Sequence, residues 1–148
     1  MKRFLALDYG RRRVGTAISD PLGLTAQPAE VLDGRDLNAL IDRICALVEE
    51  KDIDIIIVGY PLHMSGESGQ AASRTARFAK RLERAAKVPV ELRDERLTSV
   101  QARKMLQQMG IKPSRDKSKI DALSAALILQ NALDRYRAEA NRDAKELD

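Results

Sequence analysis

The chain has one cysteine, one histidine and no tryptophan among its 148 residues. A single cysteine excludes a disulfide framework and a zinc site built from cysteines. Cys45 falls inside the helical spacing of apolar residues between positions 37 and 48, which predicts a small core residue and not a nucleophile. Aromatic residues make up only 3% of the chain, so a base-stacking platform for single strands is not expected.

Long apolar stretches are also missing. The run that follows Lys2 and Arg3 ends at Asp8, which is too short for a signal peptide, and no other stretch approaches a membrane span. We therefore expect a cytoplasmic protein without membrane contact. With 44% apolar and 32% charged residues, the composition is typical of one folded domain. We expect residues 1–138 to form that domain and residues 139–148 to form a polar C-terminal tail.

Positive charge is unevenly distributed, although the formal net charge is only +4. Three segments are strongly basic, at positions 11–13, 74–87 and 110–119. Segregated positive charge is typical of a protein that binds a polyanion, and in a chain poor in aromatics it favours contact with phosphates. The residues that we expect to contact nucleic acid are Arg11, Arg12, Arg13, Arg74, Arg77, Arg81, Arg84, Lys112, Arg115, Lys117 and Lys119.

The order of hydrophobic patterns predicts an α/β fold. Strands at positions 3–8 and 13–19 form a hairpin, and residues 27–32 are expected to form an edge strand because Pro28 lacks a backbone donor. A helix, a strand, a helix, a strand and two helices follow, at positions 36–51, 53–58, 67–87, 88–93, 98–109 and 118–137. This order predicts a five-stranded mixed sheet flanked by helices, with a three-strand antiparallel meander and two parallel strands.

Acidic residues occur at three points where a charge is costly. Asp8 ends the first strand, Asp94 and Glu95 end the last, and Asp121 lies in the first turn of the final helix. A carboxylate at the end of a buried strand is unfavourable unless a cation or a phosphate group uses it. Asp8 could instead open a turn, and the helix dipole could account for Asp121. The residues alone do not choose between Asp94 and Glu95.

Taken together, the acids predict a metal site. Acids at strand ends and helix starts can converge in this topology, and a cluster of carboxylates does not stay ionised without a cation. Oxygen ligands without histidine or cysteine favour Mg²⁺ or Mn²⁺. Two such ions, about 3.5–4 Å apart, activate water and stabilise the leaving oxygen in phosphodiester hydrolysis.

Four motifs then appear in a fixed order along the chain. They are Leu7-Asp8-Tyr9-Gly10 with Arg13-Val14-Gly15, Gly59-Tyr60-Pro61-Leu62 with Gly66, Asp94-Glu95-Arg96-Leu97-Thr98-Ser99, and Asp121-Ala122-Leu123-Ser124-Ala125-Ala126. With these motifs, residues 1 to about 137 resemble the bacterial pre-16S rRNA nucleases, also called Holliday-junction-resolvase-like proteins. The resemblance implies an RNase H-like fold and places the family's catalytic, metal-binding acids on Asp8, Glu95 and Asp121. The family more often has Asn and Asp where this chain has His63 and Ser65, and the role of His63 stays open.

The resemblance implies a metal-dependent nuclease that processes the 5′ end of pre-16S rRNA, with the assembling small ribosomal subunit as a partner. Two alternatives stay open. One is a Holliday junction resolvase that acts on branched DNA as a two-fold dimer, and the other is a non-catalytic RNA-binding or transcription-associated protein. An ATPase of the actin or sugar-kinase type is disfavoured, because such proteins need two domains of this kind. Monomer and homodimer are both compatible with the sequence.

Overall fold

The computed structural model describes residues 2–60, 67–94, 104, 107–108, 110 and 117–146. The strands are β1 (Phe4–Tyr9), β2 (Arg13–Ser19), β3 (Ala26–Asp33), β4 (Ile55–Tyr60) and β5 (Val90–Asp94). Among the described residues, the continuous helices are α1 (Leu37–Glu50), α2 (Glu67–Ala86) and α3 (Lys117–Glu146). Within the described part of the chain, no helix is both long and apolar enough to cross a membrane.

The strands form one mixed sheet in the order β3-β2-β1-β4-β5. β1 pairs antiparallel with β2, and β2 pairs antiparallel with β3. β4 lies parallel to β1 and to β5. The predicted five-stranded architecture is therefore confirmed, and the carboxyl ends of β1, β4 and β5 meet at one edge of the sheet.

Two strands begin later than the apolar pattern suggests. Ile53 is buried, but its N–H donates to Val48 O at 3.0 Å, so it belongs to the turn that closes α1. Lys87 ends α2 with a φ of 60°, and strand pairing begins only at Val90. A hydrophobic run marks what is buried, whereas the start of a strand depends on where the backbone hydrogen bonds go.

The sheet has a different helical layer on each face. Leu5 and Leu7 of β1 pack in the core that α1 and α2 cover. Phe4 and Ala6 pack in the core that α3 covers on the opposite face. This alternation is the two-residue period of a strand buried on both sides. Cys45 packs against the first core, and burial raises the pKa of its thiol, in agreement with a structural role.

The final helix is longer than predicted. Its expected end near Arg137 is wrong, since α3 continues to Glu146 through exposed residues that are mostly good helix formers. Polar composition alone does not end a helix that carries no glycine or proline. The domain boundary at residue 138 stays a prediction. Most of the helix expected from Thr98 lies outside the described residues, but Gly110 has the positive φ of 76° expected of a helix-ending glycine.

Tyr136 connects α3 to the edge strand β5. Its hydroxyl donates to Glu91 Oε1, and the Arg93 guanidinium lies 5.5 Å from the centre of its ring. Arg93 also donates to Glu91 Oε2 at 3.2 Å. Burial, together with the Glu91 carboxylate, raises the pKa of Tyr136 to about 12. These contacts attach the strand that leads to Glu95 to the helix that carries Asp121.

The hydrogen bond from the Tyr136 hydroxyl to Glu91 should stabilise the fold. The raised pKa of Tyr136 makes this stabilisation depend on pH. Replacing it in Tyr136→Phe should lower the free energy of unfolding by about 1–2 kcal/mol at pH 7, because a hydrogen bond to a charged group is lost. An unfolded tyrosine has a pKa of about 10, so the difference from wild type should shrink as the pH rises from about 10 towards 12. Urea unfolding across this range measures it.

Tyr9→Phe is the matched control, because the Tyr9 ring stacks on Phe78 and its hydroxyl has no hydrogen bond among the described residues. Its unfolding midpoint should equal that of wild type. Equal midpoints for Tyr136→Phe and wild type at pH 7 would contradict the stabilising effect of the Glu91 contact.

Candidate functional site

Asp8 lies at the carboxyl end of β1 on the face that α3 covers. Phe4 and Ala6 of the same strand pack under α3, and the alternation places Asp8 on that side. In the register of the sheet, Asp8 lies directly opposite Gly15 of β2. Its side chain is half-buried at the edge where the parallel strands end.

At Gly15 the backbone of α3 lies directly against the sheet. A Cβ atom at this position would lie 2.0 Å from the backbone oxygen of Asp121 and 2.4 Å from its carbonyl carbon. No side chain fits into that space, so only glycine permits the contact. Because Gly15 faces Asp8 across the hairpin, this contact brings Asp8 and Asp121 to the same end and the same face of the sheet.

Asp121 does not lie where the sequence suggested. α3 begins at Lys117 and has no acidic residue in its first turn, so the expected place of Asp121 in that turn is wrong. The helix dipole acts mainly within the first turn and therefore explains little of this carboxylate. One turn further along the same face, Ser124 is 1% exposed, and its Oγ has no hydrogen-bond partner among the described residues.

Arg13 pairs with Asp121. Its Nε donates to Asp121 Oδ2 at 2.7 Å, and the two side chains are 39% and 23% exposed. Arg13 and Gly15 lie two residues apart on β2, so one strand face contacts both the side chain and the backbone of Asp121. The pair was not predicted, because no local spacing rule connects residues so far apart in the chain. Its only signal in the sequence is that both residues lie within the four motifs.

The third predicted acid, Glu95, lies outside the described residues. The same is true of His63, Lys112 and Arg115. Within residues 2–60, 67–94 and 117–146 and the few others described, no three histidine, cysteine or acidic side chains gather closely enough to hold a metal ion. The structure therefore brings together two of the three predicted acids, and the role of each stays a prediction.

The predicted nucleic-acid contacts fall into two groups around the β1–β2 turn. Arg11 lines a cavity of about 410 Å³ together with Arg74 and Arg77 of α2. Arg12 and Arg13 line a second cavity of about 570 Å³ on the side of β3, where Arg35 also lies.

The remaining predicted contacts lie apart from these cavities. Arg81 donates to Asn38 of α1, so that guanidinium contributes to contact between two helices. Arg84 is exposed further along α2. Lys117 is the first residue of α3, and Lys119 is exposed in its first turn.

Comparison with known proteins places this site in a family. A family model described as RuvX, Holliday junction resolvase, matches residues 2–135. The chain belongs to this family. A curated relative from a Synechococcus species, named as a pre-16S rRNA nuclease, is 44% identical to this chain. The match covers 90% of this chain and 89% of the relative. Relatives of the same name are 44% identical in Chloroflexus aurantiacus, over 93% and 90% of the two chains, and 43% identical in Streptococcus agalactiae, over 90% and 98%.

Solved structures show the same fold at lower identity. RuvC of T. thermophilus in complex with a Holliday junction substrate has a TM-score of 0.57 and 17% identity, over 90% of this chain and 94% of that chain. The fowlpox virus Holliday junction resolvase has a TM-score of 0.51 and 14% identity, over 88% and 96% of the two chains. The predicted family and RNase H-like fold are confirmed, and with them the predicted class, a nuclease.

Because of the contact at Gly15, we expect the free energy of unfolding to be unusually sensitive to one added methyl group. Gly15→Ala should lower the free energy of unfolding by at least about 2–3 kcal/mol, because the backbone of α3 must move away from β2. Gly69→Ala is the matched control, since a Cβ there meets no atom within 4 Å, and it should be neutral or slightly stabilising. Urea unfolding of both variants measures the difference. An unchanged midpoint for Gly15→Ala would show that the helix does not depend on this contact.

Proposed function

We propose that this family member hydrolyses phosphodiester bonds of structured RNA with the help of divalent metal ions, and that its substrate is the 5′ end of pre-16S rRNA. The observation that carries the proposal is the convergence of Asp8 and Asp121, from opposite ends of the chain, at the edge where the parallel strands end. The names of the relatives support the choice of substrate. We propose that the reaction takes place in the cytoplasm, on the assembling small ribosomal subunit.

We propose that Asp8, Glu95 and Asp121 hold Mg²⁺ or Mn²⁺, as two ions. The donor set fits, since carboxylate oxygens are the ligands that these hard cations prefer. The glycine at position 15 lets the backbone of α3 approach β2 beside Asp8. The Ser124 hydroxyl, which has no hydrogen-bond partner among the described residues, lies on the same helix face as Asp121. When bound, the ions would supply an activated water and stabilise the leaving oxygen.

The register of β5 supports Glu95 over Asp94 as the third acid. Glu91 pairs with Ile57, which packs in the core under α3, and Tyr136 of α3 binds Glu91 directly. The odd-numbered positions of β5 therefore lie on the face of Asp8 and Asp121. Position 95 has the parity of Glu91 and Arg93, so the strand alternation favours Glu95 over Asp94 as the acid on that face.

Arg13 has a positioning role in this proposal. It occupies Oδ2 of Asp121, while Oδ1 has no hydrogen bond from the described residues. One oxygen thus fixes the carboxylate orientation, and we propose that the other binds the metal ion. In other metalloenzymes, replacing a residue that holds a metal ligand in this way commonly lowers the metal affinity or the activity by about 10- to 100-fold.

Replacing Asp8 tests the nuclease itself. Asp8→Asn keeps the size of the side chain and removes its charge, so cleavage of precursor rRNA with Mn²⁺ should fall by about a thousandfold or more. The far-ultraviolet circular dichroism spectrum should not change. Lys80→Gln, an exposed change outside the cavities, should cut at the wild-type rate. Equal cleavage by Asp8→Asn and wild type, or no cleavage by either, would overturn the proposal.

A second test separates the two roles open to Arg13. If it positions Asp121, Arg13→Gln should lower kcat and the affinity for Mn²⁺ by about 10- to 100-fold each while KM for RNA changes little. If it contacts substrate phosphate instead, KM should rise while the Mn²⁺ affinity, measured by calorimetry without RNA, stays at the wild-type value.

A DNA junction is the second candidate substrate, because the family model carries the description Holliday junction resolvase. Symmetric cleavage of a four-way junction needs two sites in a two-fold dimer. Preference for a four-way junction over precursor rRNA, together with a dimer mass in solution, would favour this candidate. A monomer that cuts only RNA would exclude it.

A further inference from the structure

Two distant basic segments meet in one cavity. Arg11 extends from the β1–β2 turn, and Arg74 and Arg77 lie about one turn apart on α2. The cavity between them has a volume of about 410 Å³, and Gly69, Gln70 and Ser73 complete its wall. We refer to Arg11, Arg74, Arg77 and this cavity as the three-arginine cleft.

The three guanidinium groups have no acidic partner among the described residues. Other arginines of the protein are paired, for example Arg13 with Asp121, Arg35 with Asp33 and Arg43 with Glu30. Three like charges around one small cavity repel each other, and an anion between them would relieve that repulsion. The cleft therefore has the charge of a binding site and not that of a structural ion pair.

The backbone that carries Arg11 is held by contacts with Gly34. Gly34 donates its N–H to Arg12 O at 2.8 Å. A Cβ on Gly34 would lie 2.8 Å from Gly10 O and 3.2 Å from Arg11 O, so the loop before α1 presses directly against the arginine turn. On the other side of the cleft, Thr75 lies between Arg74 and Arg77 on the buried face of α2. Guanidinium groups on fixed backbones bind an anion with little ordering cost.

The cleft lies close to the acids, but on the other face of the sheet. Arg11 follows Asp8 by three residues, so their Cα atoms lie at most about 11 Å apart. α2 packs on the face opposite to α3, whereas Asp8 and Asp121 lie on the α3 side. A strand bound at the acids could therefore continue over the β1–β2 turn and reach the cleft within a few nucleotides.

We infer that the three-arginine cleft is a phosphate-binding subsite that holds the substrate strand a few nucleotides away from the bond that is cut. This inference rests on the proposed function. Its ligand is a phosphate group, from either an internal phosphodiester or a 5′-terminal monophosphate of the same strand. Guanidinium groups suit both, because their planar donors match phosphate oxygens.

The test measures binding without cleavage. A single-stranded RNA oligonucleotide with a 3′ fluorophore and a 5′-monophosphate is titrated with the full chain in EDTA, and anisotropy gives Kd at several salt concentrations. Arg74→Gln and Arg77→Gln should each weaken binding by about tenfold and reduce the slope of log K against log salt by about 1. Arg11→Gln should act in the same way.

Lys80→Gln is the matched control, because it removes the same charge from an exposed position on α2 outside the cleft. It should change Kd less than about twofold. If the arginine variants bind like Lys80→Gln, the cleft is not a phosphate subsite and the inference is overturned. Thermal unfolding of each variant checks that its fold is intact.

A 5′-hydroxyl oligonucleotide distinguishes the two sources of phosphate. A deficit that disappears with the 5′-hydroxyl strand assigns the cleft to a terminal phosphate, and one that persists assigns it to an internal phosphodiester. Because no bond is cut, failure of the cleft and failure of the nuclease are separable. Weaker binding by the arginine variants, without any cleavage by wild type, would contradict the proposed nuclease activity alone. Cleavage by wild type, with normal binding by the arginine variants, would contradict the proposed phosphate subsite alone.

Discussion

The contact between Gly15 and the backbone of Asp121 is the constraint on which the arrangement of the site depends. Along most of α3, side chains such as Ile128 and Leu129 set the distance between helix and sheet. At Gly15 the two backbones meet directly, so the distance there is fixed by atoms that cannot change rotamer. The same glycine lies opposite Asp8, and one short contact therefore determines the relative position of two acids from opposite ends of the chain.

The two faces of the sheet carry different parts of the proposed activity. The face under α3 has the acids, and Tyr136 holds β5 to that helix through Glu91. The face under α1 and α2 leads to the three-arginine cleft. The β1–β2 turn connects the two faces, and Gly34 contacts the backbone of this turn. In the proposed activity, bond cleavage and strand holding therefore take place on separate surfaces that one turn connects.

Local patterns predicted the sheet well, because strand alternation and apolar runs are properties of neighbouring residues. They failed at Ile53, which is apolar yet completes a helix turn, and at the end of α3, where polar residues continue the helix. The Arg13–Asp121 pair could not be predicted, since it depends on contacts across the whole chain. The choice of Glu95 over Asp94 came from the family resemblance, and the register of β5 now gives it a physical argument.

The distribution of the site along the chain has a consequence for synthesis. Among the described elements, β1 emerges from the ribosome before the others and α3 emerges after them. The early strands can pair while translation continues, but a nascent chain that ends before residue 121 contains Asp8 without Asp121. The contact between Gly15 and Asp121 is also strongly non-local in sequence, so we expect it to form late in folding. The proposed RNA-cleaving site thus lacks one of its acids until translation has passed position 121.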